Sequence, residues 1–594
     1  MEQTISGQLK SVVQRCGERN ALIAPDYDPL PYAGLFEQVA NVVDALNDLG
    51  VGRGDRVVLV LPDGPKMAAA FLGVAAGAVC APLNPGYRRS EFISFCLSLK
   101  PKAMIVEAED DSAAVIAAER LLIPILRLVS EGNGPSYFTL RGEKLAPAAR
   151  RGFAVADDTA LLLFTSGTTA RAKLVPLTHA NLLASSHDIA ATLQLSPDDR
   201  CLNIMPLFHI HGLVGGLLAS LISGASVVCP DRLQAQQFFH WLKEFRPTWY
   251  SAVPTMHRAI LADGQANVEI VRQHSLRFIR SSSAPLPSRV MEDLEEFFAA
   301  PVIEAYGMTE AAHQITSNPL PPLERKRGSV GTSTGTKAAV MDESGNFAAP
   351  GEIGEIVLRG ANVTPGYEGD KEANQKAFTR GWFRTGDQGY LDADGYLFLT
   401  GRIKEMINRG GEKISPYEVD KALLDHRDIV EAVTFAVAHP SLGEDIAAAV
   451  VVRDKDRVTE ERIREYLLSR LVEFKIPSRL LIVDHIPKSA TGKVERGLLT
   501  EFFKEQLKGD FFAPENEIES KLVRIYAEVL GLDKVGTNDN FFALGGDSLR
   551  AGQIIARVRS IFGVNLSMAT IFWKSTVADL SREIHRIVQE AEVG

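Results

Sequence analysis

Leu161-Leu162-Leu163-Phe164-Thr165-Ser166-Gly167-Thr168-Thr169, with Lys173 shortly after, reads as an apolar strand running into a loop of small hydroxyl residues. In such a loop backbone N–H and side-chain O–H groups can approach a phosphate closely, and Lys173 adds positive charge. The GxxxxGK[ST] spacing of a P-loop is absent, and a polar turn at a strand end is the plain alternative. The strand belongs to a series. Between about residues 30 and 400, short apolar runs at 57–61, 103–106 and 225–228 alternate with helical stretches such as 66–76. That alternation predicts parallel sheets with crossover helices.

A chain of 594 residues is too long for one core, and two to four domains are expected. The apolar fraction of 46% and charged fraction of 23% are those of a globular protein. A net charge of −10 argues against a nucleic-acid partner. No apolar run is long enough to span a membrane. Met1-Glu2-Gln3-Thr4 lacks a secretory pattern, and Glu592-Val593-Gly594 is not a peroxisomal signal. Cys16, Cys80, Cys96, Cys201 and Cys229 have neither metal nor disulfide spacing. They read as small buried apolar residues in a reducing, cytoplasmic protein.

Beyond residue 400 the pattern changes. A break at Gly401-Arg402-Ile403-Lys404 precedes strands at 430–437 and 447–452 with helices between them. A linker at 511–515, containing Pro514, leads to helical patterns at 518–530, 548–562 and 577–590. The expected organisation is a large α/β domain with parallel sheets at 1–402, a small mobile α+β subdomain at 403–510, and a four-helix bundle at 514–594.

Three more clusters follow the phosphate-type loop. They are Tyr306-Gly307-Met308-Thr309-Glu310; Trp382-Phe383-Arg384-Thr385-Gly386-Asp387 with Gly401-Arg402; and Pro487-Lys488-Ser489-Ala490-Thr491-Gly492-Lys493. Each alone could be a solvated loop. In this order, over residues 10 to 505, they resemble the adenylate-forming superfamily of acyl-CoA synthetases, peptide-synthetase adenylation domains and luciferases. The resemblance implies two steps: a carboxylate displaces pyrophosphate from ATP, then a thiol displaces AMP from the acyl-adenylate. It implies that Thr165, Ser166, Gly167, Thr168, Thr169 and Lys173 embrace the ATP phosphates. Thr309 would bond the α-phosphate and Glu310 would hold Mg²⁺. Tyr306 would lie at the adenine, Asp387 at the ribose hydroxyls and Arg402 at ribose or phosphate. Lys493 would spread the developing charge. Lys404 is expected as the hinge, and Gly410 and Gly411 as the pantetheine tunnel, with a simple turn as the alternative for the glycines. The loop departs from the family pattern: Ala170-Arg171-Ala172-Lys173-Leu174 stands for Gly-x-Pro-Lys-Gly, which implies a stiffer or displaced loop.

The acid is narrowed by Met205-Pro206-Leu207-Phe208-His209-Ile210-His211-Gly212. Amino-acid-activating relatives place an Asp here, and none is present. This stretch, with 248–255, 276–284, 304–321 and 407–416, resembles the oxalate–CoA ligases of plants and yeast, although Pro285 departs from their pattern. That resemblance implies a Ser and two His on a far carboxylate, matched here by Ser283, His313 and His209. All three would also fit as polar wall residues, with His209 a gate.

Finally, Phe541-Phe542-Ala543-Leu544-Gly545-Gly546-Asp547-Ser548-Leu549 resembles the attachment site of peptidyl and acyl carrier domains. The resemblance implies 4′-phosphopantetheine on Ser548, installed by a phosphopantetheinyl transferase. The expected activity is loading of a small carboxylic acid onto the chain's own carrier thiol. A ligase releasing a soluble CoA thioester, an amino-acid module, and a scaffold without ATP chemistry remain as alternatives. No condensation or thioesterase motif is visible, so a downstream synthetase or tailoring enzyme acting in trans is expected.

Overall fold

The computed structural model describes residues 3–130, 137–165, 173–231, 235–439, 442–455, 457–488, 494–508, 511–542, 544, 546 and 548–593. The chain divides into two compact units, one ending at Leu399 and the next beginning at Thr400.

Among the described residues, the first unit holds two large sheets. One has seven strands in the order Phe138–Arg141, Ile125–Ser130, Ala103–Glu107, Arg56–Leu59, Val79–Pro82, Thr159–Thr165 and Lys173–Thr178. Its inner pairs are parallel and its two outer pairs antiparallel. The other has nine strands. Its central run, Ser226–Val228, Arg200–Leu202, Trp249–Ala252, Phe278–Ser281 and Val302–Met308, is parallel throughout. Parallel strands connected by crossover helices are covered on both faces and read as apolar runs. Val57, Val58, Met104, Ile105, Ile279 and Ile303 are accordingly all buried. Helix Pro65–Gly77 is buried along almost its whole length, and an alanine-rich face lets it lie close on its neighbours. Gly73 would meet Val42 Cβ at 2.6 Å if it bore a Cβ of its own. A smaller antiparallel sheet contains Lys337–Met341, Gly354–Arg359 and Trp382–Leu391.

The second unit contains two kinds of core. The first surrounds a sheet whose longest pair, Ile429–His439 and Gly443–Val452, is antiparallel. Ile407, Leu423, Ile446 and Leu467 fill one face, and Phe435, Leu499 and Phe503 the other. The last core is helical, from Glu517–Leu530, Ser548–Phe562, Met568–Trp573 and Val577–Val593. Ala551, Ile554 and Val558 recur at three- and four-residue spacing and are buried with Leu522, Tyr526, Leu580 and Ile584. The short helix Met568–Trp573 left no periodic signal, because six residues span under two turns. The linker packs onto this bundle: Thr537 N donates to Phe512 O at 2.9 Å, and Lys534 Nζ lies 3.5 Å from the Phe511 ring centre. Four of the five cysteines are buried and all five are free. Burial pushes the Cys96 thiol up to about 11, and it pushes Cys80, Cys201 and Cys229 further in the same direction. No helix among the described residues is long and apolar enough to cross a membrane.

Candidate active site

Thr165 and Lys173 are register partners on adjacent antiparallel strands, side by side at one point of the sheet. Ser166, Gly167, Thr168 and Thr169 lie outside the described residues, as does Lys493. Lys173 Nζ sits 4.1 Å from the ring centre of Tyr367, a cation–π contact. The Tyr367 hydroxyl donates to Glu310 Oε1 at 2.9 Å. Burial, followed by the adjacent Glu310 carboxylate, pushes that phenol well above its ordinary range. Tyr367 therefore links the lysine of the loop to the acid of the second cluster, a role the sequence reading missed.

Strand Val302–Met308 ends in the tight turn Thr309–Ala311 and returns as His313–Ser317. The return is close. A Cβ on Gly307 would stand 1.7 Å from His313 O, so only glycine fits. Tyr306 and Asp387 are both buried, and the Tyr306 hydroxyl donates to Asp387 Oδ2 at 2.5 Å. Thr309 is half-buried and Glu310 buried. Tyr306, Thr309, Glu310, Asp387 and Lys173 thus belong to one unit; Tyr367 joins Lys173 to Glu310, and Tyr306 is bonded to Asp387.

Beside them lies a buried polar cluster. Segment His211–Leu218 is wound as a π-helix, an arrangement that recurs at functional sites. It sets His211 among strands Trp249–Ala252, Phe278–Ser281 and His313–Ser317. His211 Nδ1 is 3.0 Å from Ser283 Oγ, and its Nε2 is 2.6 Å from Ser251 Oγ. The His211 and His313 rings stack with centres 4.7 Å apart. Arg280 NH1 reaches His313 Nε2 at 3.0 Å, and NH2 donates to Gln314 Oε1 at 3.0 Å. Ser283, Ala312 and His313 have φ of 71°, 47° and 99°, conformations that cost non-glycine residues energy and that gather at working sites. Of the three expected pocket residues, Ser283 and His313 are joined through His211. His209 is half-buried, and its Nδ1 accepts from His211 N at 3.3 Å; the bond to Ser283 comes from His211. Leu207 N donates to Asp63 Oδ1 at 2.7 Å, which pins the preceding stretch.

In the second unit Arg402 and Lys404 are exposed. Gly410 and Gly411, with φ of 59° and 101°, form the two-residue turn between the antiparallel strands Ile407–Arg409 and Glu412–Ile414. Two positive φ values match the right-handed twist of a hairpin and account for both glycines. Ser548 opens the helix Ser548–Phe562. Leu549 is exposed, whereas Ile554 and Ile555 pack into the bundle. The described residues contain no cluster of three or more metal-ligating side chains.

The AMP-binding enzyme family profile matches residues 9–368, its C-terminal domain 418–493, and the phosphopantetheine attachment site 520–584. The oxalate–CoA ligase of Arabidopsis thaliana is 42% identical over 510 residues, spanning 85% of this chain and 99% of that one. Among solved structures, ATP-bound MatB from Rhodopseudomonas palustris superposes with a TM-score of 0.76 at 28% identity, over 85% of this chain and all of the other. McyG A-PCP, solved with phenylalanyl-adenylate, shares the fold over 98% of both chains with a TM-score of 0.76 at 22% identity. The chain belongs to the adenylate-forming AMP-binding enzyme family of acid–thiol ligases, and it carries a C-terminal phosphopantetheine attachment domain.

Proposed function

We propose that this chain adenylates a small acid bearing a second carboxylate and passes the acyl group to the phosphopantetheine thiol on its own Ser548. One observation carries the reading: an adenylating enzyme and a thiol carrier occupy a single polypeptide. Tethering raises the effective concentration of the arm at the site into the millimolar range or above. In the first step a carboxylate oxygen bonds the α-phosphorus and pyrophosphate leaves. In the second the thiolate attacks the acyl carbon and AMP leaves.

Two anions meet in the first step, so positioning and charge neutralisation dominate. Lys173 and the loop from Thr165 to Thr169 serve the phosphates, and Lys493 the developing charge between carboxylate and α-phosphate. Tyr306 holds Asp387 for the ribose hydroxyls. Glu310, oriented by Tyr367, suits Mg²⁺, which is commonly held by one or two carboxylates plus substrate phosphates rather than by an all-protein cage. When bound, that ion neutralises phosphate charge. Arg402, Lys404, Gly410 and Gly411 belong to the thiol-transfer half of the cycle in this reading.

Ser283 and His313 are the donors that suit a far carboxylate, with His211 bonded behind Ser283, since a buried carboxylate needs hydrogen bonds. The lack of a carboxylate in residues 205–212 disfavours an α-amino acid. Oxalate and malonate are the leading acids. ATP–pyrophosphate exchange across a panel of oxalate, malonate, short hydroxy acids, aryl acids and amino acids tests this. Exchange confined to amino acids, or none with any acid, refutes it. A second reading, release of a soluble CoA thioester, is favoured by one fact: the Arabidopsis relative, named a CoA ligase, is covered almost completely by 85% of this chain.

A further inference from the structure

Arg280 is fully buried in the middle of the parallel sheet, level with Ser251 on the neighbouring strand. Its partners among the described residues are the two imidazoles, the Ser251 hydroxyl and the Gln314 amide oxygen. None is a carboxylate. A buried cation without a countercharge is expensive, and burial lowers its pKa to about 10.

A guanidinium carries only donors. His313 Nε2, 3.0 Å from NH1, must therefore present its lone pair. His211 Nε2 lies 3.3 Å from the same NH1 and 2.6 Å from Ser251 Oγ, which itself lies 3.3 Å from NH1. A proton on that nitrogen would set N–H against N–H, so it too accepts, with Ser251 donating to it. Each ring then carries its proton on Nδ1. The His211 Nδ1–H donates to Ser283 Oγ at 3.0 Å, and the Ser283 hydroxyl keeps its own hydrogen for another acceptor. Gln314 is fixed in turn, because its Nε2 donates to Thr334 Oγ1 at 3.0 Å and leaves its oxygen for Arg280.

We propose that Arg280 is the positioning residue that makes this pocket select a second carboxylate: it holds both Nε2 atoms as acceptors, so that His211 Nδ1–H donates to Ser283 and the Ser283 Oγ–H becomes a donor to the far carboxylate, whose charge balances the guanidinium. This rests on the dicarboxylate reading above and adds the origin of its selectivity. A monocarboxylate supplies no such balance and gains nothing from the arrangement.

The test compares oxalate with oxamate, in which a neutral amide of similar shape replaces the far carboxylate, by ATP–pyrophosphate exchange with the full chain. In Arg280→Met, kcat/KM for oxalate is expected to fall about 100-fold, mainly through KM, while oxamate changes less than about 5-fold. Arg280→Lys restores cation and donor and is expected to recover at least about 10-fold of the loss. Equal losses for both acids, or a Lys variant no better than Met, overturn the proposal. If Arg280→Met does not fold, the nitrogen-15 spectrum of the histidine-labelled wild-type chain decides. Nδ1–H signatures at His211 and His313 support the proposal, and an Nε2–H signature at either ring overturns it. A wild-type chain inactive with both acids refutes the substrate reading, and the histidine spectrum then still tests Arg280.

Discussion

Gly215 sits on the π-helix directly against the histidine pair. A Cβ added there would lie 2.6 Å from His313 Nε2, 2.8 Å from His313 Cδ2 and 3.1 Å from His211 Cδ2. Ordinary contact needs about 3.5 Å, so Gly215→Ala must push the His313 ring away by about 0.9 Å. The Arg280–His313 bond, now 3.0 Å, would stretch beyond hydrogen-bonding range. Two terms oppose each other in stability. Alanine gains about 0.5–1 kcal/mol over glycine within a helix, and overpacking costs about 1–3 kcal/mol. Net destabilisation is thus small, about 1 kcal/mol, whereas a displacement near 1 Å in a group that positions substrate costs up to about 100-fold in rate. Exchange with oxalate is expected to fall 10- to 100-fold, by order of magnitude, in a variant that melts within a few degrees of wild type. A double-mutant cycle isolates the contact. With His313→Ala already present, Gly215→Ala should cost nothing further. An equal loss in both backgrounds would refute the reasoning, because the steric path through His313 would then be irrelevant.

Three further outcomes are expected. Tyr306→Phe removes the donor from a buried carboxylate and should weaken ATP binding by about 10- to 100-fold while leaving acid selectivity unchanged; unchanged ATP affinity would show that Asp387 does not need it. Burial depresses His179 to about 4 and His257 to about 3, so each folded-state pKa lies below the unfolded value near 6.5. Their contribution is fully present above pH 6.5 and is lost as pH falls below it, by about 1.4 kcal/mol per pH unit for each group. Asp188, raised to about 6 by burial, acts in the opposite sense. Urea midpoints should therefore drop between pH 6.5 and 5, and His257→Gln should flatten that slope; a flat wild-type profile would contradict the assignment. Gly546→Ala places a Cβ 2.3 Å from Phe541 Cζ in the bundle core, so thiol loading should fail while ATP–pyrophosphate exchange continues. Loss of exchange as well would mean that the two halves are not independent.

The alternation of apolar runs and helical patterns carried the sheets, because parallel strands buried on both faces cannot avoid reading as apolar segments. Tyr306, Thr309, Glu310 and Asp387 stand in contiguous motifs, and the structure places them in one unit. Arg280 was not legible. A charge at one position of a short strand reads as a solvent-facing residue, and only its burial inside the sheet, against side chains from strands 249–252 and 313–317, shows it enclosed. His211 was overlooked for a similar reason. It stands two residues after His209 in one stretch, and local sequence cannot tell which imidazole the π-helix turns toward Ser283. Tyr367 reaches Glu310 from 57 residues away with no motif around it. The available signal for Arg280 was its place inside Phe278-Ile279-Arg280-Ser281, where the neighbours are those of a fully buried strand.

The account stands most directly on the mass of the intact phosphopantetheinylated chain after incubation with ATP, Mg²⁺ and oxalate. It predicts an added acyl group on the arm at Ser548, absent in Ser548→Ala and absent without ATP. An arm that stays unacylated while a soluble CoA thioester accumulates in the presence of added coenzyme A would contradict it.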